Sequence, residues 1–222
     1  MISVIFVGIL CFILGKALAL GSLISQPAEI LSKAPDPEKV EPGTVWYVKG
    51  DRAGRTAWEA KEDAWKSGAV DRLSLSEEEL NQWSQERLKA EKPAPGSEAE
   101  SSWKDKFHLT LGETNFKLLD GKLQIATEVF MDELVKGRSF MYVVVGEFES
   151  NGKDGVVFVP EKGTLGTAPV GSLPGYRDLV NSSIWKQFEA LPDTAWLRED
   201  LQNLESVDIS SGEMVIRRKS GT

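Results

Sequence analysis

Three glutamates in a row, Glu77, Glu78 and Glu79, lie between Ser76 and Asn81 in the stretch LSLSEEELNQW, and they are the densest carboxylate cluster in the chain. Paired carboxylates can share general acid and base work, but only when they face each other across a cleft. Consecutive residues on a helix point in different directions. The spacing fits a different task. Ser76 stands three residues before Glu79, the arrangement in which a serine hydroxyl and a glutamate carboxylate satisfy each other's backbone amides at a helix start. Leu75 and Leu80 bracket that start as a hydrophobic staple, and Glu77 and Glu78 stand at the positive end of the helix dipole. The cluster therefore predicts a capped helix over about 77–90, with Leu80, Trp83 and Leu88 on its apolar stripe.

The other chemistry-bearing residues are sparse. His108 is the single histidine, and it alternates with Phe107 and Leu109, which places it on the polar side of a strand. No G-x-S-x-G elbow accompanies it. Cys11, the single cysteine, lies in an apolar N-terminal run, so the remainder of the chain has no thiol for a disulfide, a zinc site or a nucleophile. The Gly-rich stretch GTLGTAPVGSLPG, 163–175, lacks the G-K-[ST] ending of a phosphate loop and reads as a crossover. NSS at 181–183 matches a glycosylation acceptor inside a predicted helix, and IRRK at 216–219 is a basic strand end that could meet anionic headgroups. These residues give no catalytic constellation, no metal site and no cofactor.

The elements that carry these residues begin with ISVIFVGILCFILGKALALGSLI, 2–24, which is long enough to span a bilayer. It is expected to be an uncleaved transmembrane anchor; the alternative is a secreted body released by cleavage near Ala19, where ALA suits signal peptidase. None of the 34 acidic side chains lies in the first 24 residues, and the whole chain carries a formal charge of −8. Such an acidic body excludes nucleic acid as a partner. Residues 25–43 hold four prolines and little apolar content, which predicts a stalk. The body, 44–222, is expected on the extracytoplasmic, periplasmic side.

Within the body, TVWYV at 44–48 reads as a strand. TAWEAKEDAWKSG, 56–68, reads as a helix with Trp58 and Trp65 on one face and Gly68 at its C-terminal cap. KAEKPAPGSEAESS, 89–102, is a mobile loop by composition. From Phe107 the period becomes two. Asp120-Gly121 is a two-residue hairpin signal that pairs Leu119 with Lys122, Leu118 with Leu123 and Phe116 with Ile125. Strands follow at 139–150 and 156–159. Residues 161–175 are read as a connection, then come helices at 176–191 and 193–204 and a terminal hairpin over 205–218. The class is α+β: a long, mainly antiparallel curved sheet covered by amphipathic helices.

Four motifs recur together: L-[ST]-x-x-E-L-N from Leu75 to Asn81, F-x-L-x-D-G-x-L-x-I from Phe116 to Ile125, G-T-L-G…P from Gly163, and V-x-I-x-x-G-x-[ML]-V-I from Val207 to Ile216. The set, over roughly 70–219, resembles membrane-anchored extracytoplasmic bacterial proteins of unknown function, themselves distantly similar to tubular lipid-binding proteins of the BPI type. The resemblance implies an apolar groove between sheet and helices and transfers no catalytic residue. The expected lining is Phe116, Leu118, Leu123, Ile125, Val143 and Val145. The expected partners are the membrane, a lipid or other hydrophobic ligand, and an envelope protein. The competing expectation is a structural or assembly module with a filled core, and the third an envelope enzyme.

Overall fold

The computed structural model describes residues 29–33, 36, 39, 45–51, 57–88, 109–131, 139–150, 155–169, 202–210 and 212–219. The apolar run at 2–24, His108, the loop at 89–102 and the helices expected over 176–201 lie outside these residues. Among the described residues no helix is long and apolar enough to cross a membrane.

Ten strands and two helices are described, in the order β1 (Glu29–Leu31), β2 (Trp46–Val48), α1 (Trp58–Lys66), β3 (Arg72–Ser76), α2 (Glu77–Arg87), β4 (Leu109–Leu119), β5 (Lys122–Met131), β6 (Ser139–Ser150), β7 (Val156–Leu165), β8 (Ala168–Pro169), β9 (Leu204–Ser210) and β10 (Glu213–Arg218). The class is α+β, as the patterning predicts. The strands form three open sheets among these residues: a five-stranded antiparallel meander β4-β5-β6-β7-β8, a three-stranded antiparallel sheet β3-β10-β9, and a parallel two-stranded ribbon β1-β2.

The hairpin register is the one the Asp120-Gly121 turn demands. Leu119 pairs with Lys122, Leu118 with Leu123 and Phe116 with Ile125, and Gly121 takes φ +71°, open to glycine at no steric cost. The end of α1 and the start of α2 also fall where local chemistry says. At the end of α1 the amide of Gly68 donates to the carbonyl of Trp65 and that of Ala69 to the carbonyl of Ala64. With Gly68 at φ +72°, this is a Schellman closure.

Four elements depart from the sequence reading, among them β8, which lies inside the expected connection 161–175. The proline-rich stretch contains β1, which pairs in parallel with β2. Residues 72–76 form a strand that leads directly into the capped helix; Leu73 and Leu75 alternate with polar neighbours there, a period-two signal in plain view. Strand β7 does not stop at Val159 but continues through Pro160 to Leu165. Proline lacks the N–H of a ladder and is confined to edges and bulges. Here the register shifts between Val145 and Gly146, so that Lys162 faces Val145 and Pro160 faces Gly146, which leaves Glu161 as the extra residue. Gly146 is required at that point, since a Cβ would lie 2.3 Å from the carbonyl oxygen of Val159.

The main core fills the space between one face of the large sheet, α2, and the inner face of β3-β10-β9. Strand β9 meets β4, β6 and β7, so it runs across the large sheet rather than along any one strand. Its Ile209, with Met214 of β10, packs against Phe116, Leu118, Leu123, Ile125, Val144 and Leu165. Leu80 and Leu88 of α2 close the same cluster, with Leu75 and Trp83 at its margin. The staple pair and the apolar stripe therefore do the work their spacing predicts. A second cluster, Trp65 with Leu73, Val156 and Leu204, seats α1. On the opposite face of the large sheet, Tyr47 of β2 covers Ala126 and Val143.

Candidate functional site

The glutamate cluster divides its labour. Ser76 caps α2 with both halves of a capping box: its hydroxyl accepts from the amide of Glu79, and the carboxylate of Glu79 accepts from the amide of Ser76 at 2.9 Å. Glu79 also accepts from Lys61 at 2.7 Å, whose ammonium donates on to the carbonyl of Ser74. Glu78 accepts from the Ser76 hydroxyl at 2.7 Å.

Glu77 does something that sequence reasoning missed. Its Oε2 accepts from the amide of Leu118 at 2.9 Å, and its Oε1 accepts from the amide of Asp51 and from Lys117, each at 2.8 Å. One turn on, Asn81 is fully buried at 0% exposure. Its Oδ1 accepts from the amide of Phe116 at 2.7 Å, and its Nδ2 donates to the carbonyl of Phe116 at 2.8 Å. Nearly another turn on, the hydroxyl of Ser84 donates to the carbonyl of Thr114 at 2.7 Å.

Residues 77, 81 and 84 lie on one helical face, and residues 118, 116 and 114 are alternate positions of the outer strand β4. The helix thus runs antiparallel to the sheet edge and offers side-chain groups where a neighbouring strand would offer backbone. The two periods do not match: seven helical steps rise about 10 Å, whereas four strand steps cover about 13 Å. Side-chain length absorbs the difference. Serine serves the near end, asparagine the middle, and the longer glutamate reaches the far end. An open edge of unpaired N–H and C=O groups is a template for unwanted pairing, and a covering helix is one way to blunt it.

The network extends to the segment after β2. Asn115 donates to Asn81 Oδ1 at 3.1 Å and accepts from the amide of Gly50 at 2.8 Å. Asn81 Nδ2 also reaches the carbonyl of Asp51 at 3.1 Å, and Gln124 donates to the carbonyl of Val48 at 2.9 Å. Gly50 can be no other residue here: a Cβ would sit 2.0 Å from the carbonyl oxygen of Phe116 and 2.5 Å from Asn81 Nδ2. On the far side of α2, Glu62 of α1 is 5% exposed and accepts from Lys66, Arg87 and Trp83. Burial pushes its carboxyl up in pKa, and the hydrogen bonds from Lys66 and Arg87 outweigh that push, so it lies below its ordinary value.

The six residues expected to line a groove do not share a face. Phe116, Leu118, Leu123 and Ile125 sit together in the main core. Val143 pairs with Ala126 and Val145 with Gln124, which puts both on the opposite face. The correction follows from the pleat: Ile125 pairs with Val144, so one step along β6 changes sides. Residues that belong with the first four are Tyr142 and Val144. All four are closely covered, at 8%, 8%, 4% and 3% exposure.

The remaining candidates find structural roles. Residues 163–169 of the Gly-rich stretch form the end of β7 and a turn into β8, with Gly166 at φ +58°. In the basic end, Arg217 pairs with Asp208 and donates to Ser206, the guanidinium of Arg218 stacks 4.0 Å above Trp65, and Lys219 donates to the carbonyl of Gln202. Among the described residues no cluster of histidine, cysteine, aspartate and glutamate has the makings of a metal site.

No family model matches the chain, and no curated protein or solved structure matches it either. The functional reading therefore rests on the geometry alone.

Proposed function

We propose that this protein is a membrane-tethered, extracytoplasmic structural or assembly module with a closed apolar core. In this reading residues 2–24 form a transmembrane helix, 25–43 a stalk, and the body a long curved antiparallel sheet that presents its surface to an envelope protein partner. The observation that carries the reading is the filling of the sheet's apolar face. Phe116, Leu118, Leu123 and Ile125 are held by Leu80 and Leu88 of α2 and by Ile209 and Met214 of the terminal hairpin. A groove for an acyl chain would leave accessible surface on those side chains, and they have almost none. The carboxylates that could have done chemistry are likewise committed: Glu77 accepts three hydrogen bonds and Glu79 takes part in a cap and an ion pair.

Leu123→Ala tests the closed core. Removing packed methyl groups with no room to collapse costs about 2–5 kcal/mol. Melting of wild type and variant is measured with and without a panel of detergents and fatty acids. A large loss, with no ligand-dependent shift in either protein, is expected. Stabilisation of the wild type by a fatty acid that the variant fails to show would restore the lipid-groove reading, because a ligand selective for the folded state raises its stability.

A further inference from the structure

The segment 45–51 is attached to the body in an unusual way. Its only ladder among the described residues is the three-residue parallel pairing of β2 with β1, and β1 is itself exposed, with Ile30 at 57%. It is not a strand of either larger sheet. It is held instead by discrete bonds: Gln124 to the carbonyl of Val48, the amide of Gly50 to Asn115, the amide of Asp51 to Glu77, and Asn81 to the carbonyl of Asp51. Tyr47 packs against the second face of the sheet, and Val48 is buried as well.

Two of those four side chains, Glu77 and Asn81, are also the ones that hold α2 to the backbone of β4, and a third, Asn115, bonds to Asn81. Glu77 accepts from Asp51 and Lys117 on one oxygen and from Leu118 on the other. Asn81 shares its two amide hydrogens among the carbonyls of Asp51, Phe116 and Glu77. Withdrawal of the segment takes Gly50 from the Oδ1 of Asn115 and Val48 from the Nε2 of Gln124, while Glu77 keeps Lys117 and Asn81 keeps Phe116 and Glu77. A buried polar atom that loses its partner is uncompensated until the site rearranges or water enters. Seating of the segment and closure of the edge are thus written into the same atoms.

We propose that residues 45–51 are a latch: seated, they lock α2 onto the β4 edge, and their withdrawal opens that edge. The segment lies immediately after the 25–43 stretch, so whatever pulls on or severs the chain there acts on the latch first. What opens is the backbone of Thr114, Phe116 and Leu118, a row at strand spacing. That is the chemistry an extended polypeptide strand recognises.

The test uses the full chain with a specific protease site inserted between residues 52 and 56. After cutting, the fragment ending at the site is separated by gel filtration in detergent, and hydrogen exchange is followed residue by residue. The expected result is exchange at the Phe116 and Leu118 amides faster by about tenfold or more, as for a locally opened unit, with the amides of β6 unchanged. A synthetic peptide of residues 29–51 should restore the protection. Release of the fragment with unchanged exchange at Phe116 and Leu118 would overturn the latch. Exchange that rises equally across β4, β5 and β6 would also overturn it, since the segment would then be an ordinary part of the fold. A fragment that cannot be released short of global unfolding overturns it as well, because such a segment cannot switch.

Discussion

Replacing Asn81 by alanine should be among the most damaging polar substitutions in the protein. The side chain is 0% exposed. It accepts from the amides of Phe116 and Asn115 and donates to the carbonyls of Phe116, Asp51 and Glu77. Two hydrogens serve three acceptors, so one is shared. Alanine leaves the N–H and C=O of Phe116 and the amide of Asn115 buried without their partner. The carbonyl of Glu77 stays within the helix, and that of Asp51 is nearer the surface. Each buried orphan costs about 1–3 kcal/mol, and water entering the vacated space recovers part of it, so the loss should be about 3–5 kcal/mol. Equilibrium urea unfolding followed by tryptophan fluorescence measures it. Glu86→Ala, on the exposed side of the same helix, is the comparator and should stay within about 0.5 kcal/mol of wild type. Asn81→Asp is nearly isosteric and keeps the acceptor for Phe116, but turns a carboxylate oxygen toward the carbonyl of Phe116. At neutral pH it should lose at least as much as alanine. A loss below about 1 kcal/mol for Asn81→Ala, or an Asp variant as stable as wild type, would show that the helix does not close the edge by hydrogen bonding.

Ser76→Ala should lose about 0.5–2 kcal/mol in the same assay while Ser76→Asp stays close to wild type, since aspartate caps equally well and suits the dipole; equal melting temperatures for Ser76→Ala and wild type would remove the cap. Gly50→Ala should cost at least about 1–3 kcal/mol through overpacking, because its new methyl must displace the carbonyl of Phe116 or the amide of Asn81; a neutral result would mean that the segment is not seated as described. Glu62 has a folded pKa below its ordinary value of 4.5, so its contribution is present above that value and is lost as pH falls through the folded pKa. Wild type should therefore lose stability on acidification below about pH 4.5 more steeply than Glu62→Gln, and parallel pH profiles of denaturation midpoint would refute this.

What the sequence made legible was whatever is decided within a few residues. The Asp120-Gly121 turn fixes its hairpin register because two residues and the pleat leave no alternative. Ser76 and Glu79 announce the helix start, and Gly68 its predecessor's end, because caps are local chemistry. The hidden part is whatever is decided between distant segments. Nothing near Asn81 says that residues 34 and 35 further along will present it with Asn115 and the backbone of Phe116. Glu77 looks like a dipole-facing acid, and its real partners lie 26 and 41 residues away. The spacing 77, 81, 84 was visible, but a polar i, i+4, i+7 row beside an apolar stripe reads as solvent-facing until a strand edge is known to lie against it. Val143 and Val145 were misplaced for a related reason. A run of three valines has no alternation of its own, so its face is set only by pairing with β5. Strand β7 ran on past Pro160 because a bulge on the same strand absorbed the missing donor.

The two ends of the large sheet are closed by different means, and the difference bears on how the protein works. At one end, β8 is two residues long and finishes on Pro169, and β7 carries its own proline and bulge. Short strands, prolines and bulges are permanent obstacles, since no rearrangement of neighbouring elements turns them into a pairing edge. At the other end, β4 is an eleven-residue strand with its own register shift between Leu111 and Thr114, but its backbone groups at 114, 116 and 118 lie past that irregularity and are occupied by side chains of α2. That closure is conditional: it lasts only while the helix is held in place, and the helix is held partly by the segment at 45–51. Under the tethered reading the distinction matters, because a body confined to a membrane meets copies of itself and of its neighbours at high local concentration. A conditionally closed edge would be a liability in such a setting unless its opening were either prevented or used. Asn81 separates these cases. If the edge only needs prevention, a variant that restores closure by other means, such as Asn81→Gln with its longer reach, should behave as wild type once its stability is matched. If opening is used, the matched variant should still differ from wild type in the exchange rates of Phe116 and Leu118 when the segment is cut, because the coupling runs through the geometry of this one amide.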